Sequence, residues 1–317
     1  MEESVFYNLS QDETLGGDSP SIHKIPSQAA LKAYIDAKAG SNYFYVEDAS
    51  GSANTLTIKK SNNALADKVF EWSTDKATWT EITVTDTTGV SIAVPANGRV
   101  YLRGNNGALS NNSYSTRINC SAIFNIGGDI TCLVAKAGRQ ATLPAYHYTS
   151  LFESSNVKSA ENVSIDAVAS YGCQNMFKAC VSLVAPPKLP IKSLGYNNEC
   201  YRSMFQGCTS LTTAPDLPAT ELSQSCYYSM FNGCTALTTA PALPSPTTLN
   251  GCYYGMFQNC NHLTRVEVYA TAWNTSHATS WLNGVAATGD FYNLGGATIP
   301  TGTNGIPSGW TEHTQLP

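Results

Sequence analysis

Hydrophobic and polar positions follow more than one rhythm along this chain. Between residues 41 and 135 the rhythm is two. In Thr78-Trp79-Thr80-Glu81-Ile82-Thr83-Val84 successive side chains fall on opposite faces, the pattern of a half-buried strand. NYFYVED, TLTIKK, KVFEWS, TWTEITV, VSIAV, RVYLRG, RINCSAIF and DITCLV all read as strands. Turns rich in Gly and Asn at 50–54, 61–63, 86–89 and 104–113 separate them. Short strands at this spacing predict a β-sandwich of immunoglobulin-like kind. Trp72 and Trp79 sit on two of these strands and read as core aromatics, with a carbohydrate platform as the alternative use.

From Cys173 to Cys260 the rhythm changes. One phrase recurs as CQNMFKACVSLVAPPKLP, CYRSMFQGCTSLTTAPDLP, CYYSMFNGCTALTTAPALP and CYYGMFQNCNHLT. Its Met-Phe pair steps from Phe177 to Phe205 to Phe231 to Phe257, by 28, 26 and 26 residues. A fixed period in the twenties predicts a solenoid, whose units bury their apolar faces only against one another. Cys226, Met230 and Cys234 lie at i, i+4 and i+8, beside Tyr227 and Phe231. That spacing predicts a helical turn ending at Gly233 in each unit. The following Leu237-Thr-Thr-Ala-Pro-Ala-Leu-Pro reads as extended, because its prolines do not suit a helix. LPAYHYTSLFESSNVKSAENVSI carries Leu143, Tyr148 and Phe152 at matching offsets and reads as an eroded first unit. The solenoid is therefore expected over 136–265. Residues 266–317 read as a C-terminal β cap, with VEVYATAW as a closing strand and SHATSWLNGV as a short helix.

Residues 1–40 form a leader. Ser27 suits the N-cap of a helix over 27–39, with Pro26 before it and Gly40 after it. Leu31, Tyr34, Ile35 and Lys38 make one narrow stripe. A helix this short is marginal alone in water, so it needs a partner: its own β domain, a symmetry mate or a docking protein. The whole chain is thus expected to be mainly β and multidomain, with a helix-containing anchor, a sandwich, a short solenoid and a cap.

Composition narrows the chemistry. Of the 317 residues only 13% are charged, about half the usual share. The net charge of −5 argues against nucleic acid as a partner, and no apolar run is long enough for a transmembrane helix. The start, MEESVFYNLSQDE, has no basic segment followed by an apolar one, so it does not read as a secretory signal. There are ten cysteines. Within a repeat they are too far apart on a helix for a disulfide; bonds between repeats stay open, and small buried filler is the main expectation. No CxxC or His-x3-His pair suggests zinc. None of His23, His147, His262, His277 and His313 stands in a catalytic context, and no pair of recurring carboxylates suits glycoside hydrolysis. The expectation is a non-enzyme without metal or cofactor. A ligand would meet residues off the apolar face. Arg202, Tyr228 and Tyr254 share one offset and would form an exposed ladder. Thr213, Asp216 and Thr239 would form a second row on the extended segments.

Two resemblances add to this reading. TLGGDSPSIHKIPSQAALKAYID, residues 14–36, resembles a segment near the N-terminus of many phage tail and head fibre proteins, close to LGG-x-x-PSDTKIPSQKAVKAYVD; Ile22-His23 replaces the common Asp-Thr. The resemblance implies virion docking and oligomerisation through Ile25, Pro26, Leu31, Tyr34 and Ile35, with a trimer favoured. The repeats over roughly 143–265 resemble leucine-rich repeats of the Bacteroides surface-antigen (Treponema) class, in the form seen in surface and phage proteins of gut Bacteroidales. They imply adhesion to a host-surface glycan or protein. The combined expectation is a phage virion fibre or appendage. The alternatives are a bacterial cell-surface adhesin and a virion glycan depolymerase.

Overall fold

The computed structural model describes residues 43–136 and 143–317. The leader, with the helix expected over 27–39 and Ile25, Pro26, Leu31, Tyr34 and Ile35, lies outside the described residues. The described residues fall within one compact unit. Its strands are β1 (Phe44–Asp48), β2 (Asn54–Lys60), β3 (Lys68–Ser73), β4 (Thr80–Val84), β5 (Val90–Val94), β6 (Arg99–Gly104), β7 (Thr116–Cys120), β8 (Phe124–Gly128), β9 (Val157–Val163), β10 (Arg265–Val268), β11 (Gly289–Asn293) and β12 (Trp310–His313). The protein is mainly β, and none of the described residues forms a helix long and apolar enough to cross a membrane.

The period-two segments become strands because alternate residues have an apolar core to enter. Phe44, Val46, Leu102 and Ile126 from a six-stranded sheet ordered β4-β3-β6-β1-β8-β9, and Leu56, Ile58, Ile92 and Ile118 from a three-stranded sheet ordered β5-β2-β7, fill one core. Two expected strands differ. RINCSAIF divides, since β7 and β8 belong to different sheets and the chain crosses between them at residues 121–123. DITCLV is a 3-10 turn at Ile130–Leu133, because Asp129 accepts hydrogen bonds from the Thr131 amide and hydroxyl and so caps a turn.

Successive repeats are joined by backbone hydrogen bonds, and they do not contain the expected helical turn. In Ser225–Cys234 every second amide reaches the next coil. Those of Ser225, Tyr227, Ser229, Phe231 and Gly233 donate to the carbonyls of Asn250, Cys252, Tyr254, Met256 and Gln258. The amides between them, from Cys226 to Cys234, donate three residues back within the coil. Every fourth residue is left-handed: Ser225, Ser229 and Gly233 have φ of 52°, 50° and 76°. The same cycle runs through 146–154, 171–179, 199–207 and 251–259. A helix satisfies its own backbone; this wall of turns satisfies half of its amides only through a neighbouring coil. The apolar column accordingly repeats at exact fours.

Register also shifts one cysteine. Tyr171 is left-handed where Glu199 is, so Gly172, not Cys173, occupies the slot of Cys200. A Cβ on Gly172 would lie 2.0 Å from the His147 ring, which fills the space beside it. Cys173 takes the slot of Tyr201.

The opposite side of each coil is extended. β9 runs parallel to β8, and isolated parallel pairings Ser159↔Ala185, Ser193↔Glu221, Thr239↔Arg265 and Leu243↔Val268 lead on to the parallel sheet β10-β11-β12. Apolar rings run down the interior. Phe44 of β1 meets Phe152 at 6.0 Å, and Phe152, Phe177, Phe205, Phe231 and Phe257 stack at 5.3–5.7 Å. Near the C-terminus the expected short helix is a 3-10 turn at Thr275–Ala278 followed by turns.

Candidate functional site

The cysteines face inward. All ten are free and buried. The second thiol of each repeat donates to a phenylalanine carbonyl of the coil before it: Cys180 to Phe152, Cys208 to Phe177, Cys234 to Phe205 and Cys260 to Phe231, at 2.9–3.1 Å. Burial pushes the thiols of Cys200 and Cys260 up to about 12, so they stay protonated donors at neutral pH. Cys226 lies between Cys200 and Cys252 in a second column. Among the described residues no three His, Cys, Asp or Glu side chains converge as a metal site requires.

The structure brings Arg202, Tyr228 and Tyr254 together on successive coils. The Arg202 guanidinium sits 4.4 Å from the centre of the Tyr228 ring, and Tyr228 stacks on Tyr254 at 4.5 Å and 4°. All three are half-buried, less open than expected. Glu199 holds Arg202 at 2.7 Å. Partial burial, and then the Tyr254 phenol beside it, push the Tyr228 hydroxyl up. On the two coils before that of Arg202, Tyr146 and Tyr171 stack at 4.8 Å and 8°. This packing has a chemical consequence. The faces of Tyr228 are covered by Arg202 and Tyr254, and Tyr228 covers one face of Tyr254, so the ladder offers mainly ring edges and hydroxyls. A sugar ring stacks on a face; these rings lend their faces to each other.

Thr213, Asp216 and Thr239 are exposed on the extended side, where they do not meet the tyrosine ladder. Thr239 pairs with Arg265, and a polar network continues across β10–β12. Arg265 lies 4.0 Å from the Tyr292 ring centre and 2.7 Å from Glu267; His313 stacks on Tyr292 at 4.8 Å and bonds Asp290 at 2.7 Å. Sequence reading missed this network, because its members come from three parallel strands joined by long crossovers. Each of its charges is already matched, so it braces the sheet. Trp79 is likewise engaged: Arg103 covers it at 3.7 Å. Trp72 packs partly buried against the core.

The most open aromatic among the described residues was also missed. Tyr196 is 97% exposed. It sits where the first full repeat is two residues longer than the next ones. From Cys180 to Cys208 is 28 residues, and from Cys208 to Cys234 is 26. Leu194 and Leu222 mark equal places in the two coils, since Leu194 bonds the carbonyl of Glu221 and both side chains are buried. Asn197 and Ser223 are again neighbours, at 2.7 Å. The surplus is Gly195-Tyr196, bulged outward. The unequal period was the signal in the sequence that could have found it.

Comparison with known protein families, curated proteins and solved structures finds no match for this chain.

Proposed function

We propose that this chain is a non-enzymatic adhesion protein: a short leucine-rich-repeat solenoid docked on an immunoglobulin-like sandwich, carried as a bacteriophage fibre or appendage. One observation carries the reading. The coils direct their thiols, phenylalanines and half of one wall's amides at one another, which leaves an outer surface of polar and aromatic side chains for contact. Such a surface suits recognition of a host-surface glycan or protein. The leader, by its resemblance to fibre segments, supports docking to other virion proteins and assembly as a homo-oligomer, with a trimer favoured. Joining several copies turns weak single contacts into lasting attachment.

The test is binding of the labelled full-length chain to a panel of gut Bacteroidales cells. Saturable binding to at least one strain is expected, and binding to none overturns the reading. Shortening of capsular polysaccharide chains in the same incubation would replace it with a depolymerase. Recovery of the chain from the cell envelope of uninfected bacteria would replace the virion with the cell surface as its site.

A further inference from the structure

We propose that the shoulder of the coil stack around Tyr196 is a binding site for a neutral oligosaccharide. The sugar ring stacks on Tyr196, and the side-chain amides of Asn198, Gln224 and Asn250 bond its hydroxyls. The inference deepens the adhesion reading above and rests on it.

Three observations carry it. First, Tyr196 keeps both ring faces open, unlike Tyr146, Tyr171, Tyr228 and Tyr254. It is an aromatic body with a polar tip, the form that suits a sugar's apolar face and its hydroxyl rim.

Second, the bulge that carries Tyr196 is built and held. The Asn197 amide donates to the Leu194 carbonyl at 3.0 Å, and the Asn198 amide donates to the Tyr196 carbonyl at 3.0 Å. Ser170 Oγ of the preceding coil donates to that same carbonyl at 3.4 Å. Gly195 takes the left-handed φ of 53° that the bulge requires. With the backbone fixed in advance, binding has only the Tyr196 side chain to order.

Third, the residue before the left-handed position is an amide in three successive coils: Asn198, Gln224 and Asn250. Their carbonyls accept the amides of Tyr171, Glu199 and Ser225, which places them in one column, about 4.8 Å apart along the stack. All three are exposed, and among the described residues their side-chain amides make no hydrogen bond. Each offers two donors and an acceptor, which matches neighbouring hydroxyls on a sugar. The one charged residue within this column and bulge, Glu199, is held by Arg202. Tyr196, Asn198, Gln224 and Asn250 are themselves all uncharged, so the chemistry favours a neutral sugar.

The test uses the full-length chain on an array of neutral oligosaccharides built from hexoses and N-acetylhexosamines, beside their uronate-bearing counterparts. The tightest binder is then titrated calorimetrically. At least one neutral oligosaccharide is expected to bind. Tyr196→Ala should weaken it roughly tenfold, Tyr196→Phe should leave it nearly unchanged, and Gln224→Ala or Asn250→Ala should weaken it several-fold. Because Tyr196 is 97% exposed, the melting temperature of Tyr196→Ala should equal that of the parent. Binding confined to uronate sugars, no binding on the array, or equal affinity in Tyr196→Ala overturns the site. The cell assay separates this failure from the larger one. If cells retain the chain while Tyr196→Ala adheres equally well, the shoulder is the wrong place and adhesion stands. If no cell retains it, adhesion falls first.

Discussion

At the residue scale, the unusual demand of this chain is a left-handed backbone at every fourth position of the turn wall. Residues with a Cβ adopt that region at a cost of about 1 kcal/mol or more. Glycine avoids it, and Gly207 and Gly233 stand at one such position in two coils. Ala179 stands at the same position in the coil before, with φ 59°. Ala179→Gly should therefore stabilise the protein by about 1 kcal/mol, and Gly233→Ala should destabilise it by a similar amount. The Cβ added at Gly233 meets nothing closer than 3.8 Å, so the effect isolates the backbone. Urea unfolding of both variants measures it.

His147 makes a second residue-scale prediction. Burial pulls its pKa down from 6.5 to about 4, against the Pro144 carbonyl that accepts from Nδ1 at 2.9 Å. Its Nε2 is buried without a partner, which suits a neutral ring. The unfolded chain binds a proton that the folded one refuses. Stability from this group is full above pH 6.5 and is lost as pH falls toward 4. Between pH 7 and pH 5 the loss should be about 2 kcal/mol. Urea unfolding at the two pH values should show it in the parent and show less of it in His147→Gln.

At the scale of the element, the turn wall explains why cysteine recurs. A helix would leave a thiol at Cys234 with no carbonyl of another coil to reach. In the turn wall each Phe carbonyl faces the thiol of the next coil, so a small donor with apolar character fits there. Alkylation should follow from this. At pH 8 the folded protein should resist iodoacetamide at all ten cysteines, and after urea unfolding all ten should react, as counted by mass spectrometry. Rapid labelling of Cys208 or Cys234 in the folded state would show that these columns open. The same wall explains a misreading. Exact fours and a helical 3.6 are hard to separate over nine residues, and Cys226, Met230 and Cys234 fit both. Gly251 and Gly255, four apart inside an apolar run, were the signs against a helix, since glycine weakens one.

At the scale of the molecule, both ends of the coil stack are closed by parts that are not repeats. Toward the N-terminus the β7 sheet and the loop before it supply donors to the first coil: the Leu109 and Ile118 amides reach the carbonyls of His147 and Leu151, and Ser110 Oγ reaches that of Thr149. Toward the C-terminus Asn304 accepts the Ser280 amide at 3.0 Å, and the indole of Trp281 donates to the Gly305 carbonyl. Deleting residues 265–317 should therefore do more than shorten the chain. It leaves the amides of Tyr253, Gly255, Phe257 and Asn259 without carbonyls and uncovers Tyr253 and Phe257. Buried donors left unpaired cost about 1–3 kcal/mol each. Size-exclusion chromatography should find that truncated chain aggregated and the full chain dispersed.

The amino-acid order by itself determined most strands of the two N-terminal sheets and the period of the repeats, because alternation and self-similarity are local properties that each segment carries alone. It also marked the inward residues: Phe177, Phe205, Phe231 and Phe257 recur at the offset that the stack later fills. Tertiary structure alone decided the backbone of the repeats, since their amides find carbonyls only when another coil is in place. It alone decided that Tyr228 of the expected ladder is covered on its faces by Arg202 and Tyr254, and that Tyr196 stands open where a surplus of two residues has no neighbouring coil to match it.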